Sequence, residues 1–138
     1  MTATTLDRNT EKRLVERQIV LTLAASTTIP IGVMVATNAS GLAVNASDTA
    51  ALVVQGISCQ AASTAAGDTK IVVERGVFKL GNNGNVVAAT VGVAVTVVDN
   101  QTVGLAADTT NDIIAGYCDE VASDGVWVAM LGGKIAAT

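Results

Sequence analysis

Residues 32–56 return, imperfectly, sixty positions later. Seven of these 25 positions are identical without a gap: Gly32, Val33, Val35, Ala46, Asp48, Thr49 and Gly56 meet Gly92, Val93, Val95, Ala106, Asp108, Thr109 and Gly116. Val53 and Val54 become Ile113 and Ile114, which keeps the β-branched character. Such a recurrence constrains the fold more tightly than local propensity does, because each copy must adopt the same supersecondary unit. A unit of under 60 residues buries too little apolar surface to offset its own ordering entropy. The two copies, about 32–76 and 92–132, are therefore read as halves of one β domain at 24–138. An N-terminal arm and first strand, at 1–23, precede it.

From residue 29 onward, short runs of Val, Ile and Thr alternate with clusters of Gly, Asn, Ser and Asp, which is a strand-and-turn pattern. Strands are expected at 31–37, 42–44, 51–59, 70–80, 86–88, 94–98, 113–120 and 125–131. Gly81, Asn82, Asn83 and Gly84 form the clearest hairpin-type signal. The low-complexity stretch 61–66 reads as a surface loop. Residues 7–17 are the only charge-dense stretch, and either a short helix from Asn9 or Thr10 or an extended arm entering a strand at 18–23 would accommodate them. The extended form is favoured, because so short a helix is marginal without packing. The fold class is all-β: a compact sandwich or small barrel built from two internal pseudo-repeats, with an N-terminal extended or partly helical arm.

Ala, Val and Thr supply 61 of the 138 residues, against one each of Phe, Tyr, Trp and Pro. Small side chains offer little area per residue, and burial stabilises by roughly 25 cal/mol per Å². The core should be thin for its length, and added burial is expected from self-association or from docking on a larger surface. Net charge is −4. The first 20 residues are nearly balanced (Arg8, Lys12, Arg13 and Arg17 against Asp7, Glu11 and Glu16), so the remainder is acidic. An acidic body repels phosphate backbones, which argues against a nucleic-acid partner. No apolar run approaches the ~20 residues of a membrane helix. No secretory signal is visible, so cytosolic synthesis with reduced thiols is the default.

Chemistry has little to work with. There is no His, the commonest general base and metal ligand. No phosphate-binding glycine motif is present. Asp48 and Asp108, each followed by Thr, read either as a paired acid/base or cation site or as side chains accepting backbone hydrogen bonds at a repeated turn; recurrence favours the second. Asp119, Glu120 and Asp124 lack the spacing of a calcium loop and read as a solvated turn. Cys59 and Cys118 occupy nearly equivalent places in the repeats and are read as inert small hydrophobes, with a disulfide as the alternative. Trp127 lies in an alternating strand and is expected in the core. No catalytic residue, cofactor or metal is assigned.

The series 75–80 (Arg-Gly-Val-Phe-Lys-Leu), 91–99 (Val-Gly-Val-Ala-Val-Thr-Val-Val-Asp), 113–116 (Ile-Ile-Ala-Gly) and 125–131 (Gly-Val-Trp-Val-Ala-Met-Leu) resembles the capsid cement, or head decoration, proteins of tailed bacteriophages. Gly76, Val77 and Phe78 fill that family's mid-chain strand, and 92–95 the one after it; 114–118 fits the third more loosely, and 126–131 the last. The charged arm departs from the family's brief start. The resemblance covers about 29–133. It implies a non-enzymatic virion structural protein on the capsid exterior, made in the host cytoplasm, that bridges subunits of the major capsid protein and stabilises the expanded shell. It also implies self-association, with a trimer preferred. The alternatives are a tail or fibre-base component and a carbohydrate- or ion-binding β module. The expected capsid or oligomer contacts are Arg8, Lys12, Arg13, Arg17, Ile19 and Leu21. Deleting 1–17 is expected to weaken docking and leave the β body folded.

Overall fold

The structure, a computed structural model, describes residues 2–131; the ends proposed for the second repeat (132) and for the domain (138) lie outside the described residues. The described chain is all-β. Its strands are β1 (Lys12–Thr22), β2 (Thr28–Ile29), β3 (Met34–Thr37), β4 (Ala43–Asn45), β5 (Val53–Ser58), β6 (Ala62–Ser63), β7 (Lys70–Asn82), β8 (Ala94–Asp99), β9 (Thr102–Gly104), β10 (Ile114–Ala122) and β11 (Gly125–Met130). The C-terminal half of β7 pairs with β11, β11 with β10, β10 with β8 and β8 with β9. β9 then returns to β7 in parallel, Gly81 opposite Thr102 and Asn82 opposite Val103, which closes a five-stranded barrel.

The first half repeats this path. β1 pairs with the N-terminal half of β7, β7 with β5, β5 with β3 and β3 with β4. Ala43 forms a parallel bridge to Leu23, one residue past β1. β3, β4 and β5 thus occupy the places that β8, β9 and β10 take in the second unit. β7 serves twice, as the last strand of the first unit and the first strand of the second.

The identical residues of the repeat sit where this geometry is tightest. Gly32 and Gly92 turn at φ +82° and +85°, a conformation that glycine adopts without a Cβ penalty. Each donates its N–H to the same relative partner: Gly32 to the Ser58 carbonyl at 2.9 Å and Gly92 to the Cys118 carbonyl at 2.8 Å. Ser58 and Cys118 answer through the Val33 and Val93 carbonyls, both at 2.9 Å. Ser58, not Cys59, is therefore the structural counterpart of Cys118, which corrects the near-equivalence of the two thiols. Gly56 and Gly116 stand opposite Val35 and Val95, beside equivalent bulges.

Alternation decides what is buried. Val126, Val128 and Met130 of β11, with Phe78 and Leu80 of β7, point into the main core beside Val95, Val97 and Val103. β3 is buried on both faces: Val33 and Val35 join Leu23, Ile29, Ala43, Ile71 and Val73, while Met34 and Ala36 pack on the main core. Trp127 falls on the other phase of β11 and lies partly exposed on the outer wall, a correction to its expected core position. β11 is apolar on both phases, so composition could not tell them apart.

Three local expectations also change. Residues 86–88 are not a strand. The Asn82 side chain grips both polar groups of Val86 (2.8 and 3.2 Å), and a 3₁₀ turn follows at Ala88–Thr90. The turn at 81–84 is not a hairpin, because β7 pairs beyond it with β9 and β11 rather than with the chain it leads into. The stretch 61–66 is not only loop: β6 pairs with β2, burying Ala62, and a 3₁₀ turn occupies Thr64–Ala66. The N-terminal arm takes its extended form, since β1 already begins at Lys12.

Candidate docking surface

β1 is eleven residues long and pairs with β7 alone, so its outer edge from Lys12 to Thr22 has no strand partner among the described residues. An open edge presents unpaired backbone N–H and C=O groups, a ready template for another chain. Two bulges interrupt the register, between Lys12 and Leu14 and between Val15 and Arg17, and charged side chains line the strand. These are the usual devices that keep an edge soluble until a matched partner arrives.

The six expected contact residues have different fates. Arg8 reaches across the arm to the Lys79 carbonyl (3.1 Å) and to Thr10 Oγ1 (2.6 Å). Burial pulls its guanidinium pKa down, and the Asp99 carboxylate opposes that shift. Lys12 pairs with the buried Glu74 at 2.6 Å. Arg13 sits 4.1 Å above the Trp127 ring and holds Asp119 (3.2 Å) and Glu120 (2.9 Å). Lys79 flanks the same ring at 5.6 Å and bridges Glu11 and Asp124. This clamp fastens the arm to the second barrel. Ile19 and Leu21 pack, partly buried, on the smaller core cluster.

Arg17 is different. It is exposed, makes no ion pair among the described residues, and lies directly opposite Arg75 in the β1–β7 register. Like charges directly across a strand pair are destabilising. Arg75 donates to the Gln55 backbone carbonyl (3.0 Å) and Oε1 (2.6 Å). Its pKa is lowered, first by burial and then by Arg17, with Glu16 opposing. Leu14, Val15 and Val20 of the same strand are also exposed; the register puts Leu14 on the face of Arg17 and Val15 and Val20 on the other. Sequence reasoning missed these three and Arg75. Strict alternation would have marked Val20 as the outward neighbour of Ile19 and Leu21; Leu14 and Val15 point to opposite faces, and that both faces are open at this end of β1 leaves no trace in composition.

The recurrent carboxylates both accept backbone hydrogen bonds, but not at a repeated turn: Asp108 locks its own turn, and Asp48 reaches across to the other unit. Asp48 accepts N–H groups from Thr110 (2.8 Å) and Asn111 (2.9 Å), tying the first unit to the second. Asp108 accepts the Leu105 N–H (2.8 Å) and the Asn83 and Asn85 amides (3.0 and 2.8 Å). Both pKa values are lowered, Asp48 chiefly by the Thr110 N–H and Asp108 chiefly by Asn83. Stability from a depressed carboxylate is present above its unfolded pKa, near 4, and is lost as pH falls through the lower native value. Asp48→Asn with Asp108→Asn is expected to shrink the fall in stability below about pH 4, read by urea titration across pH 2–7. An unchanged acid limb would remove these locks from the account.

Asp119, Glu120 and Asp124 do not converge, and no group of three His, Cys, Asp or Glu side chains among the described residues could hold a metal ion. Both cysteines are free, and burial is the first cause that raises each thiol pKa. No helix among the described residues is long and apolar enough to cross a membrane. A scan against protein-family models, a search of curated proteins and a search of solved structures each return no match.

Proposed function

We propose that this chain is a non-enzymatic virion protein of the capsid-cement kind, which docks on the outside of an assembled shell through the open edge of β1. The observation that carries this reading is that β1 combines an eleven-residue edge without a strand partner among the described residues, three exposed apolar side chains and Arg17, which faces Arg75 of β7 and makes no ion pair among the described residues, on an otherwise acidic body. An edge strand offers backbone hydrogen bonds to an extended segment of the major capsid protein. Arg17 and Arg75 favour an acidic group beside that segment. A ligand that prefers the expanded shell stabilises it by RT ln(1 + [L]/Kd) per site. Self-association, with a trimer preferred, multiplies modest contacts by raising the effective concentration of the next one.

The test is co-sedimentation of the purified chain with expanded shells and with unexpanded precursors, followed by Arg17→Ser. Wild type should pellet with expanded shells only. The variant should bind at least about tenfold more weakly, the ~1.4 kcal/mol of one lost charge-assisted contact. Its unfolding midpoint should stay level or rise, because the repulsion from Arg75 is relieved. Binding confined to tails, or shell binding indifferent to Arg17, would overturn the reading.

A further inference from the structure

The two units share a path but differ in one respect. In the first, the loop around Gly32 is covered by the chain's own residues 7–10. The Arg8 N–H donates to the Ile31 carbonyl at 2.7 Å, the Asp7 carboxylate accepts the Ile31 N–H at 2.9 Å, and the Thr10 hydroxyl donates to the Gly32 carbonyl. The Arg8 carbonyl passes so close to Gly32 that an added Cβ would overlap it. Ile57 lines the same cleft as these residues and is 2% exposed, while the neighbouring Val33 is 0% exposed within the smaller core cluster.

The second unit builds the same seat and leaves it bare. Gly92 repeats the turn of Gly32, and its bonds with the 118 position repeat those with the 58 position. Yet among the described residues nothing lies within 4 Å of where a Gly92 Cβ would stand. Val93 and Tyr117, the counterparts of Val33 and Ile57, are 51% and 42% exposed, and Val87 and Val91 are exposed beside them. The Val91 and Gly92 carbonyls accept no hydrogen bond among the described residues. The topology explains the vacancy. The residues that stand sixty positions after 7–10 are 67–70, and these lead into and begin β7, where they complete the first unit.

We infer that the seat formed by Val91, Gly92, Val93 and Tyr117 receives an extended polypeptide segment of the shell protein, bound as residues 7–10 bind the first unit. The inference rests on the shell-docking reading and adds a second contact to it. The template states the chemistry of the occupant. One backbone N–H meets the Val91 carbonyl and a Ser or Thr hydroxyl meets the Gly92 carbonyl; residues 7–10 are all polar, so the apolar side chain that would cover Val93 and Tyr117 is set by the exposure of those two and not by the template. The segment carries no carboxylate here: the Val91 N–H already donates to Ala88, and Asp119 lies two residues beyond Tyr117. Two contacts on one chain, β1 and this seat, let it span a boundary between shell subunits.

The experiment uses full-length protein carrying Val93→Ser and Tyr117→Ser. Both side chains are exposed, so the unfolding midpoint should match wild type. Oligomeric state by sedimentation velocity should also match, while apparent affinity for expanded shells falls at least tenfold. Wild-type protein that fails to pellet with shells overturns the shell reading and this inference together. Wild-type binding with equal binding by the double variant overturns this inference alone. Dissociation of the double variant's oligomer would assign the seat to a second copy of the chain and overturn the shell segment as its occupant.

Discussion

Replacing Gly116 with alanine is expected to remove about 3 kcal/mol or more of stability, enough to leave a marginal domain substantially unfolded. Gly116 lies in β10, between β8 and β11. A Cβ there would overlap the Ala129 carbonyl oxygen and come within 2.9 Å of Val128 Cγ1. Backbone on the facing strand cannot step aside as the end of a flexible side chain can. The barrel is closed, so moving β11 away from β10 would also pull it off β7. Gly56→Ala should behave alike, because its Cβ would meet the Glu74 carbonyl and Val73 Cγ1, and its φ of +151° disfavours any L side chain. Gly41→Ala is the contrast. Its φ is +77°, but nothing among the described residues lies within 4 Å of an added Cβ, so it should lose only the conformational penalty of about 1–2 kcal/mol. Urea unfolding of the three variants reads the ranking. A Gly116→Ala protein within 1 kcal/mol of wild type would mean the β10–β11 contact is looser than drawn.

Those glycines also explain why the duplication was legible. A small residue is required wherever the strand-to-strand approach leaves no room for Cβ, and the approach occurs once per unit. The strands were legible for a related reason: Val, Ile and Thr between Gly and Asn punctuation leave few other choices. The sharing of β7 was not. Nothing local in Lys70–Asn82 says that its first half completes one unit and its second half opens the next. That follows from pairings with β1, β5, β9 and β11, which are set by contacts far apart in sequence. The parallel closures at Leu23–Ala43 and Asn82–Val103 were hidden for the same reason. The docking surface was half legible. The charged segment marked the strand, but charge alone could not separate Arg17, which faces outward unpaired, from Lys12 and Arg13, which are consumed by Glu74, Asp119 and Glu120.

That distinction changes what truncation should do. Removing residues 1–17 is expected to unfold the first unit, rather than to leave the β body intact as the sequence suggested. Three losses combine. The cover over Gly32 goes, with its hydrogen bonds to Ile31 and Gly32, and Ile57 on the same cleft is opened to water. Half of β1 leaves β7, including the stretch where Gly76 lets the Leu14 carbonyl approach closely. Lys12 leaves Glu74 as a buried carboxylate without its cation, a change that alone costs on the order of 3 kcal/mol when burial is deep. The sum is roughly 5 kcal/mol or more, comparable with the whole stability of a small domain. Hydrogen exchange should then show early loss of protection across β3, β4 and β5, while β8, β10 and β11 hold longer. Full protection of β3–β5 in the truncated protein would show that the arm is an appendage after all. If the expected loss is seen, weakened shell binding by the truncation says nothing about docking, because the first unit has gone with the arm. Arg17→Ser removes the outward charge and leaves Arg8, Lys12 and Arg13 in place, so it isolates docking where deletion confounds it with folding.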